Sequence, residues 1–449
     1  MGSFAEKLGL SRSALAAFGA FAKEAPLLDG ALRYNPLVRA QVRAVVARFD
    51  RADLDGRRAL SRALSQQIIA AARKTSYGRE FGPDIDDWPV LDKHVVRDRP
   101  ADLIKRGAVH IPASTGGTTG VPLKLVRSMR SIAAEQIFLD RAIARSGLTW
   151  ANARIAILRG DNFKSTDDWA PPFGKETLGG RRLTLSGPHL TRATCQWYFD
   201  RLMTFKPDIL CTWPSLAGNL LVLFGERNLS FRVPYIQCTS ERLDPALRAA
   251  IESEFKSFVI DYYGQSERSC LSISTAPERF RFEPAYGKVE LTPSPDDEVE
   301  GPWRRIPIIS TGFWNEAMPM IRYRTGDCAL IPVDASPREI EEVELGLREF
   351  GGIAGRTDEF IVGPDGMPIT GLNQLPRDVD NLLQVQIVQE SRGEISVRCL
   401  TQPGFCSKDR KDLEENARAR IPGGVKIRIE ETDQLEKAAS GKTPFVIRR

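Results

Sequence analysis

Between residues 209 and 260 short apolar runs alternate with a well-marked helix, and no other stretch constrains the fold as strongly. Ile209–Cys211, Val233–Cys238 and Phe258–Ile260 read as strands, with a further run at Arg154–Leu158. Ahead of the last of the three, Asp244 can cap a helix and Pro245 suits its first turn. Leu247, Ala250, Ile251 and Phe255 would face the core of that helix. Apolar strands alternating with helices imply an α/β domain whose sheets are covered. At 449 residues the chain exceeds a single typical core, so two domains are expected.

Ahead of this region stands Ser114-Thr115-Gly116-Gly117-Thr118-Thr119-Gly120, three glycines and four hydroxyls in seven residues. Glycines let backbone N–H groups turn toward a ligand, and Ser/Thr hydroxyls add donors of adjustable direction. Such a loop can wrap an oligophosphate, although a Gly/Thr-rich surface turn has the same composition. It is not a Walker A loop, which needs Gly-Lys-Ser/Thr at its end. The Gly-Lys-Thr triplet at Gly441-Lys442-Thr443 is no better: Glu436 stands where the first glycine belongs, and Pro444 stops any following helix.

Four further segments follow in order: Tyr262-Tyr263-Gly264-Gln265-Ser266-Glu267, Tyr323-Arg324-Thr325-Gly326-Asp327, Gly355-Arg356-Thr357-Asp358-Glu359 and Ser440-Gly441-Lys442. As an ordered set the five resemble the adenylate-forming superfamily, closest to its phenylacetate–coenzyme A ligase and CapK-like branch. The resemblance spans roughly residues 75 to 449. It implies a large multi-sheet N-terminal domain, residues 1–357, and a small mobile α/β C-terminal lid, residues 358–449, with the hinge near Asp358.

The resemblance also implies roles. Ser114, Thr115, Gly116, Gly117, Thr118, Thr119 and Gly120 would hold ATP phosphates. Glu267 would hold Mg²⁺ against them, a sensible use of a carboxylate at the end of a strand. Tyr262 or Tyr263 would lie beside the adenine with Gly264 in the same turn, and Ser266 near the α-phosphate. Asp327 would accept two ribose hydroxyls, with Gly326 permitting close approach. Arg356 would contact ribose or phosphate. Lys442 would neutralise charge developing on the α-phosphoryl group as pyrophosphate leaves. The expected reaction joins a carboxylic acid to AMP and passes the acyl group on, most often to coenzyme A; an amine or hydroxyl acceptor would give an amide or ester. Keeping Glu267, Asp327 and Lys442 argues against a non-catalytic nucleotide-binding protein.

The rest of the chain gives less. Residues 1 to about 85 read mainly as helices, with Leu60, Leu64, Ile68 and Ile69 at helical spacing. Leu123–Val126 suits a short strand, and Ser128 an N-cap for a helix from Met129 to about Ser146, with Ile132, Leu139 and Ile143 as its apolar stripe. The interval from Gly160 to Pro188, with its Pro and Gly pairs, reads as a long loop rather than core. Trp169, Trp213, Phe163 and Tyr262 could line an aromatic-acid pocket or simply pack. After Asp358 come strand signals at Gln384–Val388 and Glu394–Leu400, a helix at about Lys408–Arg420 and a strand at Val425–Ile429. One departure from the superfamily stands out: Thr239-Ser240-Glu241 occupies a turn where many members carry two glycines before the Glu.

Composition sets outer limits. A formal charge of +5 comes from scattered Arg and Lys rather than a block, so no nucleic-acid partner is expected. The best apolar run, Leu220–Phe224, is far too short to span a bilayer, and the first residues make a poor secretory signal. Seven cysteines without a C-x-x-C pair suggest free thiols in a reducing compartment. Only Cys328 follows the Thr-Gly-Asp motif, where some relatives carry a metal cluster, so no zinc is expected. Together these features predict a cytoplasmic protein acting on small molecules, with a homodimer as one option for its assembly.

Overall fold

The computed structural model describes residues 33–108, 110–115, 123–160, 163–165, 168–354, 360–369, 372, 375–376, 379–421, 423–436 and 444–449. Helices α1 (Pro36–Arg51), α2 (Leu54–Ala72) and the short α3 (Lys93–Asp98) come first among the described residues. Asn35 caps α1 by accepting from the Leu37 and Val38 N–H groups, which answers the orphan donors of a helix start. Val42, Val46 and Phe49 of α1 and Leu64, Ile68 and Ile69 of α2 enter one apolar cluster with Trp88, Leu91 and Tyr323.

Next come β1 (His110–Ser114) and β2 (Lys124–Ser128), an antiparallel pair, and α4 (Met129–Ala142). The Ser128 hydroxyl accepts from Ser131 N at 3.1 Å, the expected cap. The helix ends earlier than its apolar spacing suggested, breaking into a 3₁₀ turn at Ala144–Ser146 before Gly147 at φ +72°. Ile132 and Leu139 of the expected stripe are only half-buried, while Ala134, Ile137 and Phe138 are inside. The helix is wedged from more than one side, and a single-stripe reading cannot show that.

The main sheet follows: β3 (Ile155–Arg159), β4 (Gly174–Thr177), β5 (Arg182–Ser186), α5 (Cys195–Phe205), β6 (Ile209–Thr212), α6 (Pro214–Glu226), β7 (Tyr235–Thr239), α7 (Pro245–Phe255), β8 (Phe258–Gly264), β9 (Leu271–Ser274) and β10 (Phe280–Phe282). Their order is β10-β9-β8-β7-β6-β3-β5-β4. The strands β5, β3, β6, β7 and β8 run parallel, so their carboxyl ends share one edge. Asp244 caps α7 through the Ala246 and Leu247 N–H groups, and Pro245 begins it, as its sequence predicts.

The interval 160–188 corrects the sequence reading. Its first half is loop, but β4 and β5 form a hairpin around Leu178, Gly179 and Gly180, all at positive φ. Leu183 and Leu185 of β5 are fully buried beside β3. Alternation over five residues was the available signal, and the Pro and Gly pairs upstream masked it.

A second, antiparallel sheet orders β11 (Gly287–Glu290), β13 (Trp303–Gly312), β14 (Tyr323–Pro332) and β15 (Gly352–Ala354), with β12 (Val299–Glu300) against β13 and α8 (Pro337–Glu344) packed beside it. The C-terminal region holds the small pair β16 (Ile361–Val362) and β17 (Pro368–Ile369). It also holds a sheet ordered β20-β19-β18-β21 from β18 (Leu382–Ser391), β19 (Glu394–Thr401), β20 (Lys426–Glu431) and β21 (Val446–Arg448), with α9 (Ser407–Arg418). This region has its own core, with Leu375, Ile387, Val397 and Leu413 among its members. The architecture is therefore mixed α/β, a large multi-sheet region followed by a smaller sheet-and-helix region.

Candidate functional site

At the carboxyl edge of β8 the backbone turns through Gly264–Arg268. Tyr262 and Tyr263 leave the strand on opposite faces, as successive strand residues do. Tyr263 donates its hydroxyl to Asp327 Oδ2 at 2.9 Å, and Gln265 Nε2 donates to the same hydroxyl at 2.6 Å. Burial, and then the Asp327 charge, raise the Tyr263 pKa well above its usual value, so it stays a neutral donor. Asp327 sits on β14 after Gly326, whose φ of +85° a side chain would strain. Tyr262 instead packs into the helical core and donates to Glu135 Oε1 at 2.7 Å. Of the two tyrosines offered by the sequence, Tyr263 is the one brought to Asp327.

Glu267 is 8% exposed. Its Oε1 accepts from the Tyr323 hydroxyl at 2.6 Å, while Oε2 makes no hydrogen bond among the described residues. A carboxylate with one oxygen fixed and one available suits a hard cation shared with phosphate oxygens, so this donor fits Mg²⁺. The neighbouring Ser266 is held by its backbone: Arg127 Nη2 donates to its carbonyl at 3.1 Å.

Arg127 lies on β2, the strand that returns from the Gly/Thr-rich loop. The neck of that loop is closed by Thr115, whose hydroxyl accepts from Leu123 N at 2.9 Å, while Ser114 pairs with Lys124 in the ladder. Arg127 thus ties the β1–β2 hairpin to Ser266 of the turn, at a point three residues along β2 from the Ser114–Lys124 pair at the neck of the loop. Gly116, Gly117, Thr118, Thr119 and Gly120 lie outside the described residues, as do Arg356, Asp358 and Lys442. Glu436 and Pro444, on either side of residues 437–443, are both held by the fully buried Gln386: its Nε2 donates to the two carbonyls at 2.9 and 3.0 Å, and its Oε1 accepts from Glu436 N at 3.0 Å.

Behind the turn lies a buried ionic cluster. Glu135 of α4 accepts from Tyr262 and, at 2.5 Å, from Tyr286, and it pairs with Arg268 at 3.8 Å. Burial pushes the Glu135 carboxyl up, but Arg268, the two hydroxyls and Arg127 outweigh it and hold its pKa below the usual value. Burial, with repulsion from Arg268, lowers Arg127 to about 10, so it remains a cation at neutral pH. Sequence reading gave no role to Arg127, Glu135, Arg268 or Tyr286. Their partners lie up to 151 residues away, and no local pattern announces such pairs. Tyr323 was visible only as the first residue of its motif.

The turn after β7 carries the Thr239-Ser240-Glu241 departure. Ser240 sits at φ +71°, the left-handed conformation that glycine adopts without strain. Glu241 accepts from Ser215 N at 3.0 Å and from its hydroxyl at 3.1 Å, capping α6. Arg322 and Arg324 pin the Trp88–Asp92 segment: Arg322 Nη1 donates to Trp88 O at 2.9 Å and Arg324 pairs with Asp92 at 2.9 Å.

Further along the same edge a cavity of about 380 Å³ opens beyond the ends of β3, β5 and β6. Gly160, Gly187 and Trp213 follow these three strands and line it, with Trp169, Leu216 and Asn219. Its other wall is C-terminal, with Met367, Pro368 and Ile369. Of the aromatic residues expected at an acid pocket, Trp169 and Trp213 line this cavity, and Phe163 and Tyr262 do not. His189 is fully buried beside this wall, with Nδ1 2.7 Å from the Ser186 hydroxyl.

All seven cysteines are free thiols, and Cys406 is exposed. Among the described residues no group of His, Cys, Asp or Glu side chains could hold a metal by itself, and no helix is long and apolar enough to cross a membrane.

Residues 361–449 match the CapK C-terminal domain family. Protein CapK of Staphylococcus aureus is 21% identical over 372 residues, covering 81% of this chain and 80% of CapK. The phenylacetate-coenzyme A ligase of Aromatoleum evansii is 25% identical over 316 residues, 67% of this chain and 66% of the ligase. That of Escherichia coli (strain K12) is 26% identical over 319 residues, 66% of each chain. Among solved structures, 2-hydroxyisobutyryl-CoA ligase in its postadenylation state is 18% identical with a TM-score of 0.45, over 87% of this chain and 89% of that one.

Proposed function

We propose that this chain, which belongs to the adenylate-forming superfamily in the branch of CapK and the phenylacetate–coenzyme A ligases, is an ATP-dependent acid ligase. Its reaction activates a carboxylic acid as the acyl-adenylate and passes the acyl group to a thiol, that of coenzyme A. The observation that carries this reading is the meeting of Glu267, Ser266, Tyr263 and Asp327 at the carboxyl edge of the sheet, with Arg127 joining Ser266 to the β1–β2 hairpin from which the Gly/Thr-rich loop springs.

In the first step a carboxylate oxygen of the acid bonds to the α-phosphorus, and the bond to the bridging oxygen breaks as pyrophosphate leaves. Asp327, buttressed by Tyr263, orients the ribose. Residues 114–120, with Ser266, cradle the phosphates, and Arg356 supplies a further contact. Mg²⁺ on Glu267 would offset the phosphate charge. Lys442 stabilises the charge that develops at the α-phosphoryl oxygens. No covalent bond to the enzyme is required, only positioning and charge.

The C-terminal region, residues 358–449, then turns about Asp358. The acceptor sulfur bonds to the acyl carbon, the carbon–oxygen bond to AMP breaks, and the thiol proton passes to solvent. An amine or hydroxyl acceptor would follow the same course to an amide or ester. A reaction on ATP and coenzyme A, with free thiols in the enzyme, belongs in the cytoplasm.

Carboxylate-dependent ATP–pyrophosphate exchange, with Mg²⁺ and a panel of aryl, arylacetic, fatty and amino acids, tests the proposal. Exchange should appear with one class and fall about 10²–10³-fold in Glu267→Ala and in Lys442→Ala, the usual loss when one charge-stabilising group is removed. Silence across the panel from folded, ATP-binding protein would refute it.

A further inference from the structure

We infer that the cavity between Trp169, Trp213 and the C-terminal wall holds the apolar body of an extended acid, and that residues of the C-terminal region help to choose that acid. The inference rests on the ligase reading above and adds the substrate's shape.

Three observations support it. First, the position: the cavity and the Ser266–Glu267 turn lie on one edge of one sheet, at the ends of β6 and β8, with β7 between them. Two strand spacings are about 10 Å. An acid whose carboxylate reaches the α-phosphate and whose body fills the cavity must therefore span about that length. The two ends are held in register, because the Trp213-Pro214-Ser215 corner is locked through Ser215 to Glu241 at the end of β7.

Second, the chemistry of the walls. The Trp213 indole lies across the end of β3 at Gly160, where a Cβ would come within 2.7 Å of the ring. Trp169 is 41% exposed, a large aromatic surface left without a full cover. Leu216, Met367 and Ile369 complete an apolar enclosure, and 380 Å³ falls within the range of small-molecule sites. Two cations line the cavity and both are engaged: Arg192 by the Glu226 carboxylate and the Asp365 carbonyl, and Arg420 by the Asn416 carbonyl, to which its Nη1 donates at 2.9 Å. The cavity thus suits an uncharged, flat or flexible hydrocarbon end rather than a second acidic group.

Third, the wall is composite. Pro368 O faces the amide nitrogen of the buried Asn219 at 3.5 Å, and Met367 joins the core formed by α5, α6 and α7. A body seated here touches both regions of the chain, so acid selection involves residues beyond 358 as well as the main sheet.

The test compares ATP–pyrophosphate exchange with phenylacetate, 4-phenylbutyrate and 8-phenyloctanoate in the full-length protein. KM should fall at least tenfold from the first acid to the last. Trp169→Ala and, from the C-terminal wall, Ile369→Ala should each remove at least tenfold of that preference, with folding checked by circular dichroism. Isothermal titration of 8-phenyloctanoate into the ATP-free protein reads the cavity without turnover. Binding that both variants weaken supports the cavity even if exchange never appears, in which case the ligase reading alone fails. A KM indifferent to length, variants that keep the preference, or variants that slow only transfer to the acceptor would each overturn the inference.

Discussion

The two ends of the sheet edge are built on different principles. Around Ser266 and Glu267 the polar groups come from β2, α4, β8 and β14 and are cross-linked by buried ionic hydrogen bonds. Around Trp169 and Trp213 the walls are apolar, and part of the enclosure comes from a separate region of the chain. Groups that must meet a fixed charge distribution gain from a rigid, fully satisfied network. A pocket that only excludes water from a hydrocarbon can be reshaped by a few side chains at little cost. The chemistry is therefore held by coupled charges, and the selectivity by surfaces that change independently.

The sharpest way to break this contrast is Glu135→Ala. It leaves Arg268, Tyr262 and Tyr286 without their shared acceptor, and loss of one partner in a buried ionic cluster costs about 3–5 kcal/mol. Guanidinium unfolding should show a loss of that size, whereas Trp169→Ala should barely move the midpoint. A loss below about 1 kcal/mol at Glu135 would mean the two ends do not differ in kind.

Asp261, on β8 beside Tyr262, offers a test by pH. Burial raises its pKa to about 7, with Arg248 pulling the other way. The folded protein thus holds this proton more tightly than the unfolded chain does. Stability from this group is greatest below about pH 4, declines as pH rises toward 7, and beyond that a buried charge has to be tolerated. Asp261→Asn should stabilise the protein by about 1–3 kcal/mol at pH 8 and flatten its stability between pH 4 and 7. A tenfold difference in proton affinity between the folded and unfolded chain corresponds to about 1.4 kcal/mol. An unchanged pH profile would show that the charge is better solvated than its 8% exposure suggests.

The smallest effect belongs to Lys124–Asp380, a 3.1 Å pair that joins β2 to the C-terminal region with both side chains more than half exposed. Exposed pairs contribute about 0–1 kcal/mol. Lys124→Ala should leave the thermal midpoint and the exchange rate nearly unchanged. A large drop in either would mean that the two regions are held together chiefly by charge.

The sequence was informative where function and local pattern coincide. The parallel strands, the α7 cap and the order of the motifs were all legible, because each is written in neighbouring residues. The β4–β5 hairpin was missed because loop-like composition next to it outweighed a short alternation. The Glu135 cluster was invisible for a different reason: burying a carboxylate is tolerable only once Arg268, Tyr262 and Tyr286 converge on it, and that convergence is a product of the fold. The choice between Tyr262 and Tyr263 needed the strand's facing, which the pair of adjacent tyrosines alone does not reveal.

Gln386 gives the lysine proposed for catalysis a geometric leash. One buried side chain grips Glu436 and Pro444 together, so the chain leaves and re-enters the C-terminal sheet at a single anchorage. Lys442 is two residues from Pro444, and a chain extends at most about 3.6 Å per residue, so its Cα stays within roughly 7 Å of that proline. A displacement of that Cα beyond about twice this distance between the two half-reactions has to come from moving the anchorage itself.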